Sequence, residues 1–141
     1  RLLERVRSAR PDDRDVLVAL GNANFDIGYF GKQNERFITA RGIYDEALKT
    51  TPRDADILTD RGLTYFLFDP PDYAAAEREF AAALAAAPTN PRTLRLAIEA
   101  NWQLGRSAEA ADLLERFKQV DPQNPAIPEL STRLLTPAPT Q

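Results

Sequence analysis

The sequence predicts an all-α helical-repeat solenoid, and three observations carry that prediction. A Pro-x-Asp/Asn tripeptide recurs at Pro11-Asp12-Asp13, Pro52-Arg53-Asp54, Pro88-Thr89-Asn90 and Pro122-Gln123-Asn124, with Pro-to-Pro spacings of 41, 36 and 34 residues. Each tripeptide follows one amphipathic helical pattern and precedes another, so each marks a helix stop and restart. No stretch carries the alternating pattern of a strand.

The elements follow in order. Leu2, Leu3 and Val6 have the spacing of a unit's second helix, which places a partial or capping helix over residues 1–13. Three helix-turn-helix units then span 14–54, 55–90 and 91–124. Pro cannot continue a helix, while Asp13, Asp54 and Asn90 can cap the next one. Pro91 and Pro125 stand at the favoured first helical position. The acids Asp12, Asp13 and Asp15 lie where a helix begins, which suits capping and the helix dipole better than a hard-metal site. The first unit carries about seven extra residues between Gly28 and Phe37, read as an insertion within Tyr29 to Arg36. That insertion is either a surface extension or a contact site. The second unit has about two extra residues around Asp69-Pro70-Pro71-Asp72, a turn. Ile127, Leu130, Leu134 and Leu135 supply one apolar stripe for a capping helix over 125–135. The tail 136–141 (TPAPTQ) has nothing to bury and is expected to fray.

The residues between these marks carry a resemblance. Unit one reads Leu17, Leu20, Gly21, Ala40, Tyr44, Ala47 and Pro52. Unit two reads Leu58, Gly62, Tyr65, Ala76, Phe80, Ala83 and Pro88. Unit three reads Leu94, Ala97, Gly105, Ala110, Leu114 and Pro122. Over residues 14–124 the chain resembles the tetratricopeptide repeat, a 34-residue helix-turn-helix unit. The resemblance implies a right-handed superhelix of three units with flanking helices. It also implies that the first helix of each unit lines a concave groove for a partner segment. The groove positions carried over are Asn22, Phe25 and Asp26 in unit one, and Thr59, Asp60, Leu63 and Phe66 in unit two. Unit three gives Arg92, Arg95, Glu99 and Trp102. Phe25, Phe66 and Trp102 recur at one place, either as anchors for apolar side chains or as fillers of the seam between units.

Two departures from the family pattern stand out. Arg61 falls on a core stripe, where it either packs its stem and lifts its guanidinium to water or forms an inter-repeat ion pair. Ile98 stands where a small residue is usual, so the helix crossing in unit three is expected to differ. Some family members clamp the acidic C-terminal tails of chaperones. The matching positions here read Val18, Asn22, Asp60, Arg92 and Leu96, a poor fit because Asp60 repels a carboxylate.

Composition narrows the function. The 141 residues hold 18 Lys plus Arg against 21 Asp plus Glu, a formal net charge of −3, with no His and no Cys. Transition-metal ligands, thiol chemistry and the commonest general base are therefore missing. Nucleic acid is a poor partner for a mildly acidic surface, and no apolar run spans a bilayer. The expectation is a non-enzymatic protein-interaction module, without cofactor or metal, holding a protein or peptide segment in its groove. A structural subunit that packs through its convex face or ends into a homo- or hetero-oligomeric assembly is the alternative. A narrower reading comes from Leu2 to Ala23, similar to the start of bacterial repeat modules that assist cytochrome c maturation, which implies an exported or periplasmic site. The chain begins at Arg1 and contains no Met, as expected of a trimmed or processed chain.

Overall fold

The computed structural model describes residues 4–5 and 13–139. The expected helix over 1–13, with Leu2, Leu3 and Val6, lies almost wholly outside the described residues. Seven helices run through the described residues: α1 Arg14–Gly31, α2 Asn34–Leu48, α3 Ala55–Phe66, α4 Tyr73–Ala86, α5 Pro91–Gln103, α6 Ser107–Val120 and α7 Ala126–Leu134. Among these residues there is no strand, and no helix is long and apolar enough to cross a membrane. The fold is a helical-repeat solenoid. Helices α1 and α2, α3 and α4, and α5 and α6 form antiparallel pairs, and each pair packs on the next.

The punctuation works as capping chemistry. Asp13 accepts from the Asp15 and Val16 N–H groups, Asp54 from Asp56 and Ile57, and Asn90 from Arg92 and Thr93. Each satisfies donors that the first helical turn leaves open. Asn124 continues the series, its side chain accepting from the Ala126 N–H at 2.9 Å. Asp72 caps α4 through the Ala75 N–H at 2.9 Å.

Two of the pairs are keyed by a glycine facing an aromatic ring. A Cβ on Gly21 would stand 2.6 Å from the Tyr44 ring, and one on Gly62 would stand 2.6 Å from the Phe80 ring. In the third pair the bulk is redistributed. Ile98 replaces the glycine and Leu114 replaces the ring, and both sit in one buried cluster. The core is two such clusters in series. One joins α1, α2 and α3 and takes in Ala83 of α4, while the other joins α4, α5, α6 and α7. Ala83 is buried and Ala85 exposed, which sets the register of α4.

Four details bear on these expectations. The extra residues of unit one form no loop. They lengthen α1 to Gly31 and start α2 at Asn34, with a tight turn at Lys32, whose φ is 51°. Asn34 then reaches the corner of the next pair, donating to the Asp69 carbonyl at 2.7 Å and accepting from the Asp69 N–H at 3.1 Å. Arg61 is an inter-repeat ion pair: its guanidinium bridges Asp45 on α2 and Glu79 on α4, the latter at 2.7 Å. Leu135 leaves the apolar stripe of α7 and is 87% exposed, because the helix has ended. At the start of the tail the Thr136 hydroxyl donates to the Arg133 carbonyl at 2.7 Å, and the Thr136 carbonyl accepts from Trp102.

Candidate functional site

Arginines add polar ties to the apolar packing between successive helices. Arg14 pairs with Asp54, and Arg41 donates to Thr64 Oγ1 at 3.0 Å while lying 3.7 Å over the Tyr65 ring. Arg92 donates to Asp60 at 2.7 Å, and Arg133 pairs with Glu99. The last two ties link α3, α5 and α7, which together line one groove of about 520 Å³. Its floor is Leu63, Phe66, Leu96 and Leu130, and its polar edges are Arg92, Arg95, Glu99, Glu129 and Arg133.

Five of the residues assigned to a partner face meet here: Leu63, Phe66, Arg92, Arg95 and Glu99. Asn22, Phe25 and Asp26 lie on α1 and do not line this groove. Asn22 accepts the Tyr44 hydroxyl at 2.7 Å. Phe25 packs edge-on to Phe37 at 5.5 Å and stacks on Tyr29 at 6.5 Å, while Asp26 is exposed. Asp60 sits beneath Arg92; burial raises its carboxyl above the ordinary value, and the Arg92 guanidinium opposes that rise.

Thr59 is corrected outright. It is 0% exposed, and no partner can touch it. Its hydroxyl donates to the Ala55 carbonyl at 2.8 Å and meets the Thr93 hydroxyl at 2.9 Å across the α3–α5 seam. A threonine has one hydroxyl proton. Since Thr59 gives its own to Ala55, Thr93 is the donor between the two. Thr59→Val should therefore strand the Thr93 donor and cost about 1–3 kcal/mol, while Thr93→Val should cost only about 0.5–1.5 kcal/mol. The double variant should be more stable than Thr59→Val alone. Urea denaturation of the three variants checks this, and equal single costs would reverse the donor assignment.

Trp102 also stands apart from the groove. Its ring lies under the Arg133 guanidinium at 5.3 Å and its Nε1–H donates to the Thr136 carbonyl at 3.3 Å. It fastens α7 and the start of the tail to α5. Phe66 divides its contacts, facing the groove while touching the Tyr73 ring at 5.2 Å and the Phe80 ring at 6.3 Å. Phe25 and Phe66 thus touch rings of their own units, Trp102 touches Arg133 and Thr136, and Phe66 lines the groove as well.

Glu129, Leu130 and Arg133 were missed as groove residues. The repeat itself carries the signal. Counted from the caps Asp13, Asp54, Asn90 and Asn124, the ninth residues are Asn22, Leu63, Glu99 and Arg133, and the fifth are Val18, Thr59, Arg95 and Glu129. Helix α7 is a fourth copy of the groove-lining helix, so its polar positions belong to the groove.

Comparison with known proteins agrees with this geometry. Residues 67–134 match the family model of the tetratricopeptide repeat. No curated protein matches the chain at a significant level. Among solved structures, a thermophilic TPR protein of Thermus thermophilus superposes with a TM-score of 0.77 at 19% identity, covering 95% of this chain and 70% of that one. The TPR domain of Arabidopsis OM64 gives 0.70 at 26% identity, covering 86% and 93%. The second TPR domain of human RPAP3, solved with the HSP70 peptide SGPTIEEVD, gives 0.72 at 15% identity, covering 87% and 98%. The family signature lies in residues 67–134, and with the same paired-helix architecture through the preceding units the chain has the fold of a tetratricopeptide-repeat protein.

Proposed function

We propose that this protein is a non-enzymatic interaction module that holds a segment of a partner protein in the groove formed by α3, α5 and α7. One observation carries the reading: Leu63, Phe66, Arg92, Arg95 and Glu99 converge on a single concavity with an apolar floor and charged edges. Such a mixture gives burial for affinity and charge for orientation. The HSP70 peptide held by the human RPAP3 domain supports a peptide-sized occupant. The chemistry here differs from a clamp for a terminal carboxylate, because Asp60 lies under Arg92 and Leu96 is apolar.

Leu63 is the position that tests it. Its counterparts in the other units are Asn22, Glu99 and Arg133, so the fold accepts a polar side chain there. Leu63→Asn should leave the helical signal unchanged and lower the melting temperature only modestly, because Leu63 is half-buried against the core. It should weaken the partner recovered from source cells by at least about tenfold, or 1.4 kcal/mol. Unchanged affinity with a stable fold would end the groove reading.

A second reading rests on the lengthened first unit. Ile27, Tyr29, Phe30 and Ile38 are 44%, 51%, 80% and 54% exposed, and exposed apolar groups of this size favour association. A concentration-dependent mass in sedimentation, abolished by Phe30→Ser, would favour an assembly subunit.

A further inference from the structure

We infer that the groove selects an acidic side chain from within the partner segment, seated on Arg95 and flanked by aliphatic side chains. This rests on the groove reading above and follows from how the charges on the groove edge are paired. Arg92 is engaged with Asp60 at 2.7 Å. Arg133 holds both Glu99 and, at 3.5 Å, Glu129. Every carboxylate at the edge therefore has a cation, and both of those arginines have carboxylates. Arg95 is left over. It is exposed, it lines the groove, and among the described residues it has no ion-pair partner.

The remainder is one guanidinium above an apolar floor of Leu63, Phe66, Leu96 and Leu130. A guanidinium fork prefers a planar carboxylate, which it engages through two parallel N–H groups. A basic segment finds only carboxylates that Arg92 or Arg133 already engages. A C-terminal residue with an acidic side chain brings two negative charges, and Arg92 is already neutralised by Asp60. A single internal Asp or Glu with Leu, Ile or Val beside it matches both the charge and the floor.

The experiment uses the full chain and a random library of seven-residue peptides with amidated C-termini, with a free-acid library beside it. Retained peptides should carry Asp or Glu next to an aliphatic residue about tenfold over Lys or Arg, the effect of one charge-assisted hydrogen bond. Amidation should not matter. Arg95→Glu should invert the preference toward Lys and Arg at an unchanged melting temperature, and Arg95→Lys should keep most of it. Retained peptides without an acidic preference would overturn the inference alone. So would a preference that survives Arg95→Glu, or one seen only with free C-termini. Retention that is indifferent to Leu63→Asn would overturn the groove reading beneath it, and retention of no peptide would overturn both.

Discussion

Phe80→Ala should lower the unfolding free energy by about 3–5 kcal/mol, as truncating a buried aromatic does where the site cannot collapse. Phe80 is 0% exposed and belongs to the cluster that joins α4 to α5, α6 and α7. Its ring already presses on the backbone of α3 at Gly62, a position with no side chain with which to refill the space. The converse change is informative. Gly62→Ala would put a methyl 2.6 Å from Phe80 Cε1 and should cost about 1–3 kcal/mol by overpacking. Combining Gly62→Ala with Phe80→Leu should cost clearly less than the sum of the two single changes, because the smaller side chain vacates the place of the methyl. Urea denaturation of the four variants decides it. Strict additivity would mean that the ring and the glycine are not in contact.

Features that depend on neighbours in sequence were legible, and features that depend on residues about one repeat away were not. Asp13, Asp54 and Asn90 announce themselves, since a cap is a matter of one side chain and the two or three N–H groups after it. The small residues Gly21, Gly62, Ala76 and Ala83 mark close approach in a helix pair, and all four are buried. Thr59 illustrates the limit. A threonine on the first helix of a unit reads as groove-facing until its partner Thr93, one repeat later, draws it into the seam. Arg61 is similar, because its acceptability on a core stripe rests on Asp45 and Glu79 on two different helices. The run from Tyr29 to Arg36 was legible as extra residues but not in its helical form. Gly28 and Gly31 suggest a break, yet Gly28 is buried within the helix beside Phe37 and Gly31 simply ends it. Helix α7 was placed by its apolar stripe, but its role in the groove needed Arg95 and Glu99 to be carried forward by one repeat.

Above pH 10 the protein should lose stability through one tyrosine. Tyr44 is 0% exposed, and burial raises its hydroxyl well above the ordinary value, with the carboxylates of Asp60 and Asp26 adding to the rise and Arg92 opposing it. In the unfolded chain the same hydroxyl ionises near pH 10. Below that pH it is protonated in both states and its contribution is fully present. Above it the unfolded chain releases the proton while the folded one retains it. The unfolded state then binds fewer protons, and the unfolding free energy falls as pH rises, by up to about 1.4 kcal/mol per pH unit. The loss continues until the pH reaches the raised folded value. Tyr44→Phe should cost about 0.5–1.5 kcal/mol at neutral pH, through the lost hydrogen bond to Asn22. The variant should lack this part of the alkaline decline, so the two stability curves should converge and then cross as pH rises. Urea midpoints measured for both proteins from pH 8 upward provide the comparison, and the difference between them removes the contributions of lysines and of the other tyrosines. Parallel curves would mean that Tyr44 reaches water in the folded protein, and that the packing of its ring against Gly21 is looser than the geometry here.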